Sequence, residues 1–443
     1  MKKIILAGVM SLTCTAASIA QTSPGSDSAS KVWSLDSCVS YAVTHNLTVQ
    51  SARLDAARGE LSVTEAKDAF LPSVSASAGE SFSFGRGLTS QNTYANRNTS
   101  NFQWGVGLDL PLFQGLREYR QLAYSKESMR QLLYEVEAAK DNITLNVISQ
   151  YLQVLYAKAV ARSAESQLEY SSYEVTRQQA LLEEGKIPEA DLYEAMAQAA
   201  QDSLQVVTSR NDIAVALVEL TNLLRLPSAE GFDVLPIIEG EPMIPTADAV
   251  YLAALQNNNS ILAARQGIKV ADRGVSLAKA GYIPSLRFSA GINSNYYTLA
   301  GYPSESFGDQ MRHNLSKYIG FTLSIPIFDA FSTRNSVRRA NLQRVSAELT
   351  LDSRAQELHR SIELAYYQAT GARSRYLASR ETLSLTSRAF EAIREKYNLG
   401  RATPTEFQQA KNNLFRTEVS SIQAHYEYLM RHRILLYYQS SAL

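Results

Sequence analysis

Four stretches of the chain alternate between apolar residues and small or polar ones, which is the two-residue period of a β-strand. They are residues 73–84, 102–112, 285–293 and 319–327. Polar loops at residues 88–100 and 302–314 join the members of each pair. The pattern therefore predicts two β-hairpins, at about residues 73–113 and 285–328, each with one apolar face.

The polar face of the first predicted hairpin is made of unusually small residues. Gly105 and Gly107 lie on it together with a ladder of serines from Ser73 to Ser83. Alternation alone is equally typical of a soluble sheet that covers a core. Side chains this small cannot fill a core, which favours a water-filled lumen on this face and lipid on the other. Glu80 falls on the apolar face, where either a β-bulge or a position at the membrane rim would explain it.

Most of the remaining chain predicts helices of unusual length. Residues 114–183 contain no proline and a single glycine, Gly115, and residues 331–399 form a second such stretch. An unbroken helix of about 70 residues spans roughly 105 Å at 1.5 Å per residue. Each stretch is followed by a glycine, Gly185 or Gly400, where we expect a tight turn at the tip of a helical hairpin.

Shorter predicted helices flank each long one, at about residues 35–71, 188–226, 248–283 and 404–438. Two short helices placed end to end match one long helix in length. Each half therefore predicts a long helix antiparallel to a stacked short pair. The apolar seams are narrow, as at Ile143, Val147 and Val154, which is typical of coiled-coil contacts in a wall rather than of a globular core.

The chain contains nearly the same unit twice. Residues 35–79 align without a gap to residues 247–291, with Pro72 opposite Pro284. Two tandem copies of about 200 residues predict internal pseudo-symmetry. The predicted divisions are a first repeat, a proline-rich linker and a second repeat, at residues 35–226, 227–245 and 246–443.

The amino-terminal residues predict an export signal. Residues 1–20 begin with two lysines near the start, continue into an apolar run and end in a small-residue cleavage pattern. Cys14 would suit a lipid anchor, but Thr13 stands where a smaller residue is preferred. We expect residues 21–34 to be flexible. Removal of the signal leaves Cys38 as the single cysteine, so we expect no intramolecular disulfide.

Composition excludes several classes of function. Lys plus Arg total 43 and Asp plus Glu total 43, so no net charge attracts nucleic acid. After the signal, no apolar run approaches the roughly 20 residues of a membrane-spanning helix. Among five histidines, His425 and His432 alone are spaced for one helix face, and we interpret them as solvated or interface residues. No catalytic triad or phosphate-binding loop is recognisable, so we predict no enzymatic activity, metal or cofactor.

The number of strands predicts how many chains assemble. Four strands cannot close into a barrel, and an open edge in lipid leaves unpaired backbone groups at a cost of several kcal/mol each. Several chains must therefore share one barrel. A filled barrel has about 8 strands and an open channel needs more, so three chains with about 12 strands form the simplest solution.

Short motifs at the corners resemble those of a known family. Leu-Pro-Ser and Ile-Pro-Ser follow the first helices, whereas Pro-Leu-Phe and Pro-Ile-Phe follow the second strands. With the helix-turn elements GKIPEADLYEA and GRATPTEFQQA, they resemble the TolC family of outer-membrane efflux and secretion channels. The resemblance covers about residues 35–438 and depends on the order and duplication of the motifs.

The resemblance implies a fold, a location and partners. The fold is mixed but mainly α, with long antiparallel helices forming an α-barrel through the periplasm. Two β-hairpins per chain contribute to a 12-stranded barrel of a homotrimer in the outer membrane. The implied partners are a periplasmic membrane-fusion adaptor protein, an inner-membrane transporter of RND or ABC type, and outer-membrane lipid. The implied function is a passive exit duct in tripartite efflux or type I secretion.

In that family, acidic residues and polar links between helices close the periplasmic tip. Alignment on Gly185 and Gly400 gives the gate candidates Glu406, Gln409, Tyr397, Asp191 and Arg401. Glu406 takes the acidic position, Gln409 stands one turn later, and Tyr397 and Asp191 take the link positions. The usual basic partner aligns with Ala402, one residue after Arg401, which weakens the expected lock. Alternatively, Glu406 and Asp191 are ordinary first-turn acidic residues favoured by the helix dipole.

Two functions of different classes fit the pattern. A transport duct explains the export signal, the hairpins and the long helices together. A structural or adhesive stalk would instead bind partners through its polar hairpin tips without transporting anything. Planar-bilayer recordings distinguish them, because a stalk gives no stepwise current.

Overall fold

The structure is a computed structural model that describes residues 31–88, 92–96, 98–237, 243–300 and 302–440. The predicted export signal, with Cys14, lies outside the described residues. The helices of the first half are α1 (Leu35–His45), α2 (Leu47–Asp68), α3 (Arg117–Glu183) and α4 (Glu189–Leu224). Those of the second half are α5 (Ala247–Asn257), α6 (Asn259–Ala278), α7 (Phe307–His313), α8 (Ser332–Asn398) and α9 (Pro404–Ser440).

The strands repeat the division into two halves. They are β1 (Lys31–Trp33), β2 (Ser73–Ser83), β3 (Arg86–Leu88), β4 (Tyr94–Asn96), β5 (Thr99–Gln114), β6 (Phe232–Val234), β7 (Ser285–Leu299) and β8 (Ser316–Ser324). The two predicted hairpins are therefore present as β2 with β5 and β7 with β8, and the fold is mainly helical as predicted.

Both long helices have the predicted extent. Each has 67 residues, α3 in the first half and α8 in the second. At 1.5 Å per residue, 67 residues span roughly 100 Å. Both begin after a left-handed pair of residues, Gly115–Leu116 and Ala330–Phe331, with φ between 51° and 62°. A Cβ on Gly115 would lie 2.7 Å from Cβ of Ile283, so a larger residue does not fit this corner.

The first short helix of each half is broken, which differs from the prediction. Asn46 and Asn258 adopt extended backbone conformations between α1 and α2 and between α5 and α6. The Asn46 side chain accepts a hydrogen bond from the Thr48 N–H at 2.9 Å. Asn258 does the same for Ser260 at 3.1 Å. An asparagine that caps the next helix ends the previous one, and this competition makes the break.

Strands and helices follow one order across the molecule. The four-stranded sheet has the order β2-β5-β7-β8. Next to the sheet, α2, α3, α6 and α8 contact one another in the same order, and nearer the turns the order is α4, α3, α9 and α8. Each long helix therefore lies beside a stacked short pair, as predicted. The described residues form a wall of four columns, and none of these residues covers its two outer edges.

The sheet has the predicted apolar face. One row across it consists of Val74, Leu108, Ala290 and Ile319. Glu80 lies on this face opposite Phe102, three residues from the end of β2, and accepts a hydrogen bond from Ser100 at 3.2 Å. The uninterrupted register of β2 with β5 excludes a bulge there, so the rim is the better explanation. Lys317, opposite Ile292, is a second charge on this face that the sequence analysis missed.

Three details of the hairpins differ from the sequence expectation. Strand β8 ends at Ser324, so Ile325 and Ile327 lie beyond it. A bulge after Pro111 in β5 makes Phe113, not Leu112, the partner of Leu286. The loops also carry local structure, because β3 pairs with β4 in the first and α7 occupies the second.

The glycines on the polar face of the sheet have a second explanation besides a water-filled lumen. A Cβ on Gly291 would lie 2.6 Å from the Tyr318 ring, and one on Gly107 would lie 3.7 Å from the Tyr318 hydroxyl. The ring therefore lies across two glycines of neighbouring strands. Aromatic rings commonly cover glycine in this way and fix the strand register. These glycines accommodate Tyr318 as well as keeping the face small.

The predicted linker and flexible segment are partly structured. Strand β1 pairs in parallel with β6, which lies inside the linker. Tyr151 of α3 is 1% exposed, and its hydroxyl donates to the Leu235 carbonyl at 2.6 Å. The linker is thus fixed to the middle of α3, where a cluster around Val147 and Leu220 forms the main core. None of the described helices is long and apolar enough to cross a membrane.

Candidate functional site at the helical tips

Both helical hairpins turn through the same backbone motif. The Gly185 N–H donates to the Leu182 carbonyl at 2.8 Å, and the Lys186 N–H donates to the Leu181 carbonyl at 2.9 Å. At the second turn the Gly400 N–H donates to the Tyr397 carbonyl and the Arg401 N–H to the Lys396 carbonyl, and both glycines have φ of 67°. This Schellman ending needs a left-handed residue, for which glycine is preferred. No atom lies within 4 Å of a Cβ built on either glycine, so the backbone rather than packing requires them.

Glu406 lies in the first turn of α9 and closes a capping box. Its carboxylate accepts a hydrogen bond from the Thr403 N–H at 2.8 Å, and its own N–H donates to the Thr403 hydroxyl at 3.2 Å. The bond from the Thr403 backbone lowers the pKa of the exposed Glu406 carboxyl. These contacts match the helix-cap alternative. Within one chain Glu406 stabilises a helix start, and its place in a constriction stays a prediction.

Tyr397 fastens the end of α8 to α3. Its ring is 5% exposed, lies 4.6 Å from the stacked Phe407 ring, and has the Arg177 guanidinium 4.3 Å above it. The hydroxyl donates to Glu174 and accepts from the Gln178 amide at 2.7 Å. Burial, followed by the bond to Glu174, raises the pKa of Tyr397. Tyr397 is therefore a buried link between the two repeats.

The other gate candidates do not meet Tyr397 within one chain. Asp191 is half-buried in the first turn of α4, and its carboxylate has no hydrogen bond or ion pair with the described residues. Arg401 and Gln409 are exposed and equally without side-chain partners in that part of the chain. Ala402 packs against the aromatic cluster of Tyr397. Within one chain the acidic partner of Tyr397 is Glu174, and the roles of Asp191 and Arg401 in a link stay predictions.

We expect Tyr397→Phe to destabilise this link by about 1 to 3 kcal/mol, because the buried part of Glu174 loses its hydroxyl donor. Heat-induced unfolding of the purified protein measures the change. Tyr173→Phe is the matched control, since Tyr173 lies on α3 and is 71% exposed. Equal midpoints for Tyr397→Phe and wild type would contradict the assigned bond.

The sequence analysis missed a buried polar cluster above the tips. Lys411 of α9 donates to Asp202 of α4 at 3.0 Å and also contacts the Ser171 hydroxyl of α3. The Gln198 amide donates to the second Asp202 oxygen at 2.8 Å. Asp202 lies one helical turn before Val206, on the same buried face of α4. A charged residue at a seam position was therefore the available signal.

A groove of about 470 Å³ lies between α3 and α8 beside Tyr397. Aromatic and charged side chains line it, among them Tyr170, Tyr173, Arg394 and Glu395. No group of three or more His, Cys, Asp or Glu residues within the described ranges is placed to hold a metal ion. The tips thus combine a polar groove with two exposed glycine turns.

Comparison of the sequence with models of known protein families gives a match over most of the chain. The family described as outer membrane efflux protein matches residues 39–224 and 250–435, which together exceed half of the chain. The chain belongs to the outer membrane efflux protein family. The predicted resemblance, the channel function in efflux or secretion and the outer-membrane location are thereby confirmed. Because the family consists of channels, an enzymatic activity is not expected, and its absence stays a prediction.

Individual relatives of this efflux protein are distant but similar over most of their length. The outer membrane efflux protein BepC of Brucella suis is 21% identical over 89% of this chain and 82% of its own. The alkaline protease secretion protein AprF of Pseudomonas aeruginosa is 22% identical over 77% of this chain and 70% of its own. The crystal structure of the Campylobacter jejuni CmeC outer membrane channel superposes with a TM-score of 0.76 at 16% identity. It covers 91% of this chain and 85% of its own. The superposition confirms the fold.

Proposed function

We propose that three copies of this efflux protein assemble into a passive exit duct, with a 12-stranded barrel in the outer membrane and a helical tunnel in the periplasm. Substrates would arrive from an inner-membrane transporter of RND or ABC type through a periplasmic adaptor. The observation that carries the proposal is the wall of four columns with two unpartnered edges. Family membership supports the same function.

The edges of the sheet support three copies. Strands β2 and β8 are the outer members of the sheet order, so each has backbone donors and acceptors that pair with no other described strand. In lipid, unpaired backbone groups cost several kcal/mol each, and closure removes them. Joining β8 of one copy to β2 of the next pairs both edges. Three copies then close one cylinder.

Apolar stripes on the edge helices support the same join. Those on α2 and α4 are Leu47, Leu54, Leu61, Tyr193, Met196, Leu204, Val207, Val215 and Val218, all at least 49% exposed. On α2 they recur every seven residues, and on α4 they form pairs every eleven. These periods are typical of coiled-coil contacts. On α8 the exposed Leu342, Val345 and Leu349 form a stripe at the opposite edge of the wall.

The mass of the purified protein in mild detergent tests the assembly. We expect native mass spectrometry to give three chains per particle. A single chain, or a particle with a different number of chains, would contradict the proposal. The fold would still stand in that case, because the described contacts lie within one chain.

The tips are the proposed docking and gating region. Two exposed glycine turns and the groove between α3 and α8 face the end of the tunnel that is far from the sheet. An adaptor that reaches across the periplasm meets this end first. We propose that Glu406 and its two symmetry copies form an acidic constriction there, in addition to capping α9.

We expect Glu406→Gln to reduce the preference of the channel for cations, because it removes three crowded carboxylates from a narrow throat. The amide oxygen of glutamine can still accept the bond from Thr403, so the capping box is kept. Reversal potentials in a salt gradient measure the change. Thr403→Ala is the control that weakens the cap and retains the charge. If Thr403→Ala changes selectivity and Glu406→Gln does not, Glu406 serves only as a cap.

A further inference from the structure

Lys411, Asp202 and Ser171 form a buried polar cluster that includes an ion pair. Of the ion pairs between described residues, Lys411 with Asp202 has the least exposed side chains, at 3% and 9%. The paired atoms lie 3.0 Å apart, and the Ser171 hydroxyl donates to the same carboxylate while it accepts from Lys411. Nothing in the gate prediction involves these residues.

The cluster connects the two repeats. Ser171 and Asp202 lie on α3 and α4 of the first repeat, whereas Lys411 lies on α9 of the second. Next to it, the Gln167 amide donates to Asn412 at 3.3 Å, which is a neutral contact between the same repeats. Closer to the tips, the hydrogen bond from Tyr397 to Glu174 is a further polar contact between the two repeats.

We propose that the Lys411–Asp202–Ser171 cluster is a latch that holds the α8–α9 hairpin against the α3–α4 hairpin and must break before the tips separate. The inference rests on the proposed duct, because only a duct has tips that need to open. It extends that proposal by naming a contact away from the throat that sets the balance between closed and open forms.

Because it is buried, the ion pair of Lys411 and Asp202 is either intact or fully broken. A charged pair away from water is stable only with its partners in place, since a lone buried charge is strongly unfavourable. Movement of α9 away from α4 therefore either leaves the pair intact or breaks it and admits water to both charges. Exposed pairs do not behave in this way, because water replaces the partner at little cost. Arg210 with Glu165, a bridge between α4 and α3 with side chains 66% and 46% exposed, is such a pair.

Single-channel recording of the full-length protein tests the latch. Lys411→Met leaves the Asp202 carboxylate without its cation, so we expect the open-to-closed ratio to rise by at least about tenfold, which corresponds to 1.4 kcal/mol. In the double variant Lys411→Met with Asp202→Leu no charge remains that needs water, and we expect the ratio to return towards that of wild type. Arg210→Met is the matched control and should leave the ratio unchanged.

A distance measurement separates failure of the latch from failure of the duct. Spin labels on Glu184→Cys and Leu399→Cys report the separation of the two turns, and Cys38 is buried away from the label. We expect a wider distance distribution in Lys411→Met and a narrow one in the double variant. A distribution unchanged by Lys411→Met overturns the latch, whether or not the protein conducts. If wild type gives no current but the separation of the turns does change in Lys411→Met, the proposed duct is contradicted and the latch is not.

Discussion

Ile319→Arg is expected to destabilise the membrane-inserted protein by about 2 to 4 kcal/mol per chain, the cost of arginine on the lipid face near the bilayer centre. Ile319 is 75% exposed and lies in the middle of β8, in the apolar row that crosses all four strands. Folding into lipid vesicles, followed by urea titration, measures the loss.

Two further substitutions on β8 make this test specific. Leu323→Arg lies on the same face one residue before the strand ends, so a smaller loss of about 0 to 1 kcal/mol is expected near the interface. Thr322→Arg places the same charge on the polar face, where water is expected. If Thr322→Arg costs as much as Ile319→Arg, the assignment of lipid to the apolar face is wrong.

The double variant Leu204→Glu with Val207→Glu is expected to prevent trimer formation at concentrations where wild type is trimeric. Both side chains lie on α4 away from α3 and are more than 60% exposed in one chain. Burying an aliphatic side chain contributes about 1.5 to 3 kcal/mol, and each copy would lose two such contacts. Carboxylates at these positions add a desolvation cost.

The matched control for the edge is Gln205→Glu. Gln205 is exposed on the same helix, about 100° around its axis from Leu204 and about 160° from Val207. Native mass measurements should find Gln205→Glu trimeric and the double variant monomeric, with similar helix content by circular dichroism. A trimeric double variant would show that α4 does not face the neighbouring copy.

The parts of the fold that could be predicted depend on local pattern. Two stretches without proline predicted α3 and α8, since no residue interrupts the backbone hydrogen bonds. Alternation predicted the strands and their faces, because successive side chains of a strand point to opposite faces of the sheet. The breaks at Asn46 and Asn258 were not predicted, because asparagine is only mildly unfavourable inside a helix and its capping role appears once the neighbouring helices are placed.

The site was harder to predict because its contacts are distant in sequence. Tyr397 and Glu174 are 223 residues apart, and Lys411 and Asp202 are 209 apart. The contacts of α3 and α4 with α8 and α9 depend on the axial register of these four helices. The local sequence pattern does not determine that register. Aligning the turn glycines predicted Tyr397 as a link residue at the tip, but it did not identify Glu174 as its partner.

Current through a planar bilayer that contains the purified wild-type protein tests the central claim most directly. The account predicts discrete, equal current steps, each produced by one trimer that spans the bilayer through a shared barrel. A correctly folded protein that inserts into the bilayer and gives no stepwise current would contradict it and favour a stalk.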